Sequence, residues 1–186
     1  MSTHLQVTGF ILAGGKSSRM GRDKALLDWH GQTLLDHMVN LLSAATDHVR
    51  VVGRGSLPDL PPSDRGPLSG VITALDASAT DANLVVAVDL PLLTGDFLKY
   101  LRSQLERTSR RIVACKIGSN FPLCLGIRRG LLPELQRRLA DGDFSVHRLI
   151  ESIDAEVIPE AKLSEVGFDA SIFRNINTAE DYRSIL

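Results

Sequence analysis

A chain of 186 residues, 44% hydrophobic and 23% charged, has the size and make-up of one ordinary globular domain, expected to span 1–186. About 70% of its unfolded surface should be buried at this length, so neither a disulfide nor a structural metal is needed to hold it. With 21 basic against 22 acidic residues the formal charge is −1, which argues against a nucleic-acid binder held by bulk electrostatics.

From the amino end, LQVTGFIL (5–12) is a short apolar run containing β-branched residues, the pattern of a strand covered on both faces. It lacks a cationic flank and runs directly into glycines, so no signal peptide is expected. The glycine-rich segment LAGGKSSRMGRDK (12–24) follows, with Lys16, Arg19, Arg22 and Lys24 against the single acid Asp23. Over 33–45, apolar Leu34, Leu35, Met38, Leu41 and Leu42 recur at three- and four-residue spacing and predict a helix. HVRVVG (48–53) predicts a second strand, and the proline-, glycine- and serine-rich stretch 53–67 a loop. Helices are expected at 68–79 and 97–105, flanking a strand in ANLVVAV (82–88), with another strand in RIVACKI (111–117). LVVAV meets Asp89 after five residues, too short for a membrane span.

Strands alternating with helices imply βαβ units and a mainly parallel sheet. The second half is less regular: FPLCLGI (121–127) and AEVIP read as strands, GLLPELQRRLA and FSVHRLIES as helices, and a mixed sheet edge is expected there. At the carboxyl end Thr178, followed by Ala179, Glu180 and Asp181, is a capped helix start with acids in its first turn. Cys115 and Cys124, both inside apolar runs, suit buried thiols in a reducing cytosol.

Three segments carry candidate chemistry. Paired glycines after a buried strand let the backbone bend and approach a ligand, and the cations beside them suit phosphates. Neither generic phosphate motif fits: a P-loop ending at Gly15-Lys16-Ser17 needs glycine where Phe10 stands, and no G-x-G-x-x-G occurs in the glycine segment. Asp89 in VVAVDLPLL lies at the end of a central strand, on the same rim as the glycine segment, where one carboxylate can hold Mg²⁺ together with substrate phosphates. Asn175 and Asn177 in FRNINTAED are expected at a strand end before a helix, as ligand contacts or as turn caps. No two histidines have metal-ligand spacing, and His30 and His147 are expected at the surface or core edge.

Together LAGGKSSRMGRDKALL, GPLSGVITAL, VDLPLL and NINTAEDY resemble the molybdenum cofactor guanylyltransferases, which have the nucleoside-triphosphate transferase fold. The resemblance implies a three-layer αβα Rossmann-like nucleotidyltransferase in the cytoplasm, without nucleic-acid or membrane partners. It implies transfer of GMP from Mg-GTP to the terminal phosphate of molybdopterin with release of pyrophosphate, and transient contact with molybdoenzymes or their chaperones. By the same resemblance Leu12, Ala13 and Gly14 hold the guanine, Gly15, Arg19 and Lys24 the phosphates, Asp59 the nucleoside and Asp89 the Mg²⁺. Asp64 competes with Asp59, and Asn175 and Asn177 are the pterin-side candidates. Arg19, Lys24 and Asp89 are the catalytic set. Relatives that use CTP typically read LAAG where this chain reads LAGG, so Gly14 points to guanine.

The chain departs from the family at three places, the mildest being Ala179 where proline is usual, since both residues suit an early helical position. Val52 and Gly53 stand where asparagine is frequent, and Phe121 replaces a histidine before proline. The alternatives are a cytidylyltransferase or sugar-phosphate nucleotidyltransferase of the same fold, or a GTP-binding regulator without catalysis.

Overall fold

The computed structural model describes residues 5–14, 23–54, 57–58 and 66–185. In chain order the elements are β1 (Val7–Leu12), a 3-10 turn (Lys24–Leu26), the short strands β2 (Asp28–Trp29) and β3 (Gln32–Thr33), and α1 (Leu34–Ser43). There follow β4 (His48–Val52), α2 (Pro67–Asp76), β5 (Ala82–Ala87), α3 (Gly95–Arg107), β6 (Ile112–Lys116) and β7 (Cys124–Arg128). A second 3-10 turn (Arg129–Leu131) leads to α4 (Leu132–Ala140), α5 (Val146–Ser152), β8 (Glu156–Pro159), α6 (Glu160–Glu165), a third 3-10 turn (Ala170–Phe173) and α7 (Ala179–Ile185).

Six strands form one sheet in the order β4-β1-β5-β7-β6-β8. β1 runs parallel to β4 and β5, β6 parallel to β8, and β7 is antiparallel to both neighbours. The mixed part of the sheet is therefore internal, between β5 and β6, rather than at the edge that the sequence suggested. The reason is local: a tight turn, with Ile117 and Asn120 exchanging backbone hydrogen bonds at 2.9 Å, sends the chain straight back beside β6. No crossover helix intervenes.

Strand residues alternate between two apolar layers, as the period of two requires. Ile11, Leu84, Val86, Val113 and Cys115 face the layer covered by α1, α3 and α6, while Phe10, Val85, Ala114 and Leu125 face α2, α4 and α5. The result is the expected three-layer αβα arrangement. Helix α1 buries Leu34, Met38 and Leu42 at four-residue spacing, and Thr33 caps it by accepting from the Asp36 N–H. Helix α2 begins at Pro67 and is buried from Leu68 to Leu75; α4 packs over it. Its buried hydroxyls are satisfied locally, Ser69 Oγ donating to the Gly66 carbonyl and Thr73 Oγ1 to that of Ser69.

Two features had no reading from the sequence. The β2–β3 hairpin turns on His30 and Gly31 with φ of 51° and 86°, the two positive values of a type I′ turn. Beyond β8, α6 and the following 3-10 turn lay Phe168 and Phe173 edge-on against Phe97 of α3, with ring centroids 5.4 and 5.0 Å away. That aromatic cluster holds the carboxyl-terminal segment over the rim where β1 and β5 end. Among the described residues no helix is long and apolar enough to cross a membrane.

Candidate active site

The carboxyl ends of β1, β4 and β5 share one rim because these strands are parallel. Leaving β1, Ala13 N–H donates to the Val52 carbonyl (2.9 Å), and Val88 N–H donates to that of Leu12 (3.1 Å), so the first residues of the glycine segment stay tied to both neighbouring strands. Leu12 is half-buried, Ala13 buried and Gly14 exposed. Gly53, at φ 88°, lies against Gly14: a Cβ at position 53 would fall 2.4 Å from the Cα and N of Gly14. This close approach gives a physical reason for glycine at position 53. Gly15, Lys16, Arg19, Arg22, Asp59 and Asp64 lie outside the described residues.

Lys24 opens the first 3-10 turn, which Asp23 caps by accepting from the Ala25 N–H at 3.1 Å. Asp23 also pairs with Arg54, joining this turn to the segment after β4. The Lys24 ammonium donates to Asp89 Oδ2 at 3.0 Å and to Asn177 Oδ1 at 3.0 Å. Three sites far apart in the chain thus meet at one cation. The Lys24 and Asp89 side chains are 19% and 23% exposed, sheltered enough to strengthen the pairing yet open to a ligand.

Asp89 emerges two residues after β5, as its position in VVAVDLPLL implied. Thr94 caps the following helix, its Oγ1 accepting from the Phe97 N–H, so Asp89 is not used as that cap. Asn177 follows a 3-10 turn and a short extended segment, not the strand expected there. Ile176, fully buried, donates its N–H to the Asp89 carbonyl at 2.9 Å, which seats the segment on the rim. Asp181 accepts from the N–H groups of Asn177 (2.9 Å) and Thr178 (2.7 Å), and Thr178 Oγ1 accepts in return from the Asp181 N–H. These bonds, the Asn177 N–H first, hold the Asp181 carboxyl below its ordinary pKa.

A cavity of about 430 Å³ opens beside Asp89, bounded by Asn120, Phe121, Phe173, Arg174 and Asn175 among others. Asn175 thus lines the cavity, whereas Asn177 stands on Lys24. His147, from α5, touches Phe121, so a residue with no local signal of function stands beside the site. Burial pushes the Cys115 thiol up to about 12 and raises that of Cys124 as well, in keeping with inert core thiols.

A rim cation bound to a carboxylate at the end of a central parallel strand, with an open cavity alongside, is the kind of crevice in which α/β domains handle phosphorylated ligands. Residues 9–157 match the MobA-like NTP transferase domain, and the chain belongs to that family of nucleotidyltransferases. It is 35% identical to a molybdenum cofactor guanylyltransferase of Xanthomonas euvesicatoria pv. vesicatoria, covering 96% of this chain and 94% of the relative. In structure it resembles molybdopterin-guanine dinucleotide biosynthesis protein A of Archaeoglobus fulgidus, at TM-score 0.73, 19% identity and 95% coverage of each chain. It also resembles a Mycobacterium tuberculosis protein solved as a manganese complex, at TM-score 0.69 and 18% identity, covering 97% of this chain and 98% of the other.

Proposed function

We propose that this chain transfers GMP from Mg²⁺-GTP to the terminal phosphate of molybdopterin, releasing pyrophosphate. The observation that carries the reading is the meeting of Asn177 and Asp89, the latter bordering the cavity, at the Lys24 ammonium. In the reaction an acceptor phosphate oxygen forms a bond to the α-phosphorus of GTP while the bond from that phosphorus to the bridging oxygen of pyrophosphate breaks. Neither group needs a proton donor of unusual pKa, so positioning and neutralisation of charge are the tasks left to the protein.

Lys24 and Arg19 offset the charge that builds on the transferring phosphoryl group, and Gly15 lets the backbone come close to the phosphates. Leu12, Ala13 and Gly14 meet the guanine, Asp59 the nucleoside, and Asn175 the acceptor side. Asp89 is the metal anchor: it stands just past the end of β5 beside the cavity, and Mg²⁺ accepts one carboxylate completed by substrate phosphates and water. Such an ion, when bound, polarises the phosphoryl oxygens. The manganese complex of the Mycobacterium tuberculosis protein supports a divalent cation in this fold. The buried thiols Cys115 and Cys124 accord with a cytoplasmic enzyme that hands its product to molybdoenzymes or their chaperones.

Calorimetric titration of the Mg²⁺ complexes tests the nucleotide. GTP should bind at least about ten times tighter than CTP, a difference of only about 1.4 kcal/mol. Equal affinity or a preference for CTP would replace this reading with the cytidylyltransferase alternative. Pyrophosphate release from GTP should in addition require molybdopterin.

A further inference from the structure

We propose that Phe121 is a specificity-determining residue of the acceptor site, against which the fused pterin ring system of the acceptor packs. The inference rests on the guanylyltransferase reading for the identity of the acceptor, and on this chain's own residues for the contact.

Phe121 is half-buried in the wall of the cavity that starts at Asp89. Its backbone is held on both sides. Before it, Ile117 and Asn120 close a tight turn, and the Gly118 N–H of that turn donates to Glu160 at 3.1 Å. After it, the Leu123 carbonyl accepts from the Ala87 N–H at 2.8 Å, continuing the ladder between β7 and β5 up to the rim. The ring is braced as well. His147 meets it edge-on, with centroids 4.9 Å apart and planes at 73°, and Lys116 Nζ stands 5.8 Å from its centroid. His147 is in turn held by Glu151, its Nε2 lying 3.1 Å from Oε1.

An aromatic ring fixed in this way offers apolar contact at small cost in side-chain freedom. The same cavity supplies what a phosphorylated pterin acceptor needs elsewhere along its length: Arg174 and Asn175 as polar contacts, and Asp89 at the end where transfer occurs.

The test uses the full chain and 6-hydroxymethylpterin monophosphate as probe, titrated by its own fluorescence, with GTP affinity measured by calorimetry on the same preparations. Phe121→Ala should weaken probe binding about ten-fold, Phe121→Tyr should stay within about two-fold of the parent, and His147→Ala should fall between. GTP affinity should change by less than about two-fold in all three. Absence of probe binding by the parent chain, unchanged probe affinity in Phe121→Ala, a Tyr variant as weak as Ala, or a parallel loss of GTP affinity would each overturn the proposal. Molybdopterin-dependent pyrophosphate release, measured alongside, separates the two readings. Release that persists with Phe121-independent probe binding removes the role of Phe121 alone; no release together with Phe121-dependent binding removes the guanylyltransferase reading alone.

Discussion

The half of the sheet formed by β4, β1 and β5 and the half formed by β7, β6 and β8 serve one rim by different means. In the first half all strands are parallel, so their carboxyl ends deliver Gly14, Gly53 and Asp89 to the same rim. In the second half the reversal at β7 puts the 117–123 connection on that rim, where Phe121 lines the cavity. A parallel continuation would have needed a crossover, carrying the chain back to the opposite rim before its next strand. A single antiparallel strand inside the sheet thus turns a short connection into a wall of the site. Local sequence text is dense in the first half and sparse in the second, and each side can be tested separately.

The largest effect is expected where both halves meet the carboxyl-terminal segment. Asp89→Ala removes the carboxylate assigned to the metal and also the partner of Lys24, and turnover should fall by roughly three orders of magnitude while the far-ultraviolet circular dichroism is retained. Near-parental turnover with unchanged Mg²⁺ dependence would make Asp89 a turn residue. Lys24→Ala should follow, lowering kcat by roughly 100-fold and weakening GTP binding, because an ammonium on phosphate acts in both ground and transition states. Lys16→Ala is the control within the same basic segment. Similar, salt-sensitive losses from both would replace a specific ligand with a diffuse basic patch.

Gly53→Ala confines the test to the nucleotide half. The new Cβ would meet the backbone of Gly14 at 2.4 Å and force a positive φ on alanine, so a loss of about 2–3 kcal/mol is expected. For a chain of this length that is a fall in melting temperature of about 5–10 °C, with weaker GTP binding. A variant with parental stability and affinity would show that the β1 and β4 loops move apart without consequence. The smallest effect is expected at Asp181, which steadies Asn177 from outside the site. Its folded-state pKa is lowered, so its contribution to stability is present above the ordinary carboxylate value and lost as pH falls through the folded one. The gap in melting temperature between the parent and Asp181→Asn should therefore be widest near neutrality and close below about pH 4. A gap that does not vary with pH would mean that the carboxylate charge is irrelevant to the cap.

Most of the parallel half was legible from the sequence because its signals are local. Apolar runs of strand length, the i, i+4 spacing of Leu34, Met38 and Leu42, and the cap at Thr178 each depend on neighbours a few residues away. The β2–β3 hairpin was not read, since His30-Gly31 is a weaker turn signal than Asn-Gly and the strands are two residues each. The internal position of β7 was not legible either. Strand patterning gives period and burial but says nothing of direction, which the turn at 117–120 decides.

The sequence by itself determined the alternating α/β class, the family, and the residue types that chemistry needs: glycines and cations after β1, an aspartate after β5, asparagines near the carboxyl end. Only the tertiary structure decided which of these touch. Lys24 and Asn177 lie 153 positions apart yet share a hydrogen bond, because the cluster of Phe97, Phe168 and Phe173 and the buried Ile176 hold the carboxyl-terminal segment over the rim. The same holds for Phe121 and His147, which share no local pattern and meet because α5 packs on the face of the sheet behind the β6–β7 turn. Contacts of this kind depend on how apolar faces pack across the whole molecule, a nonlocal sum that no window of sequence contains.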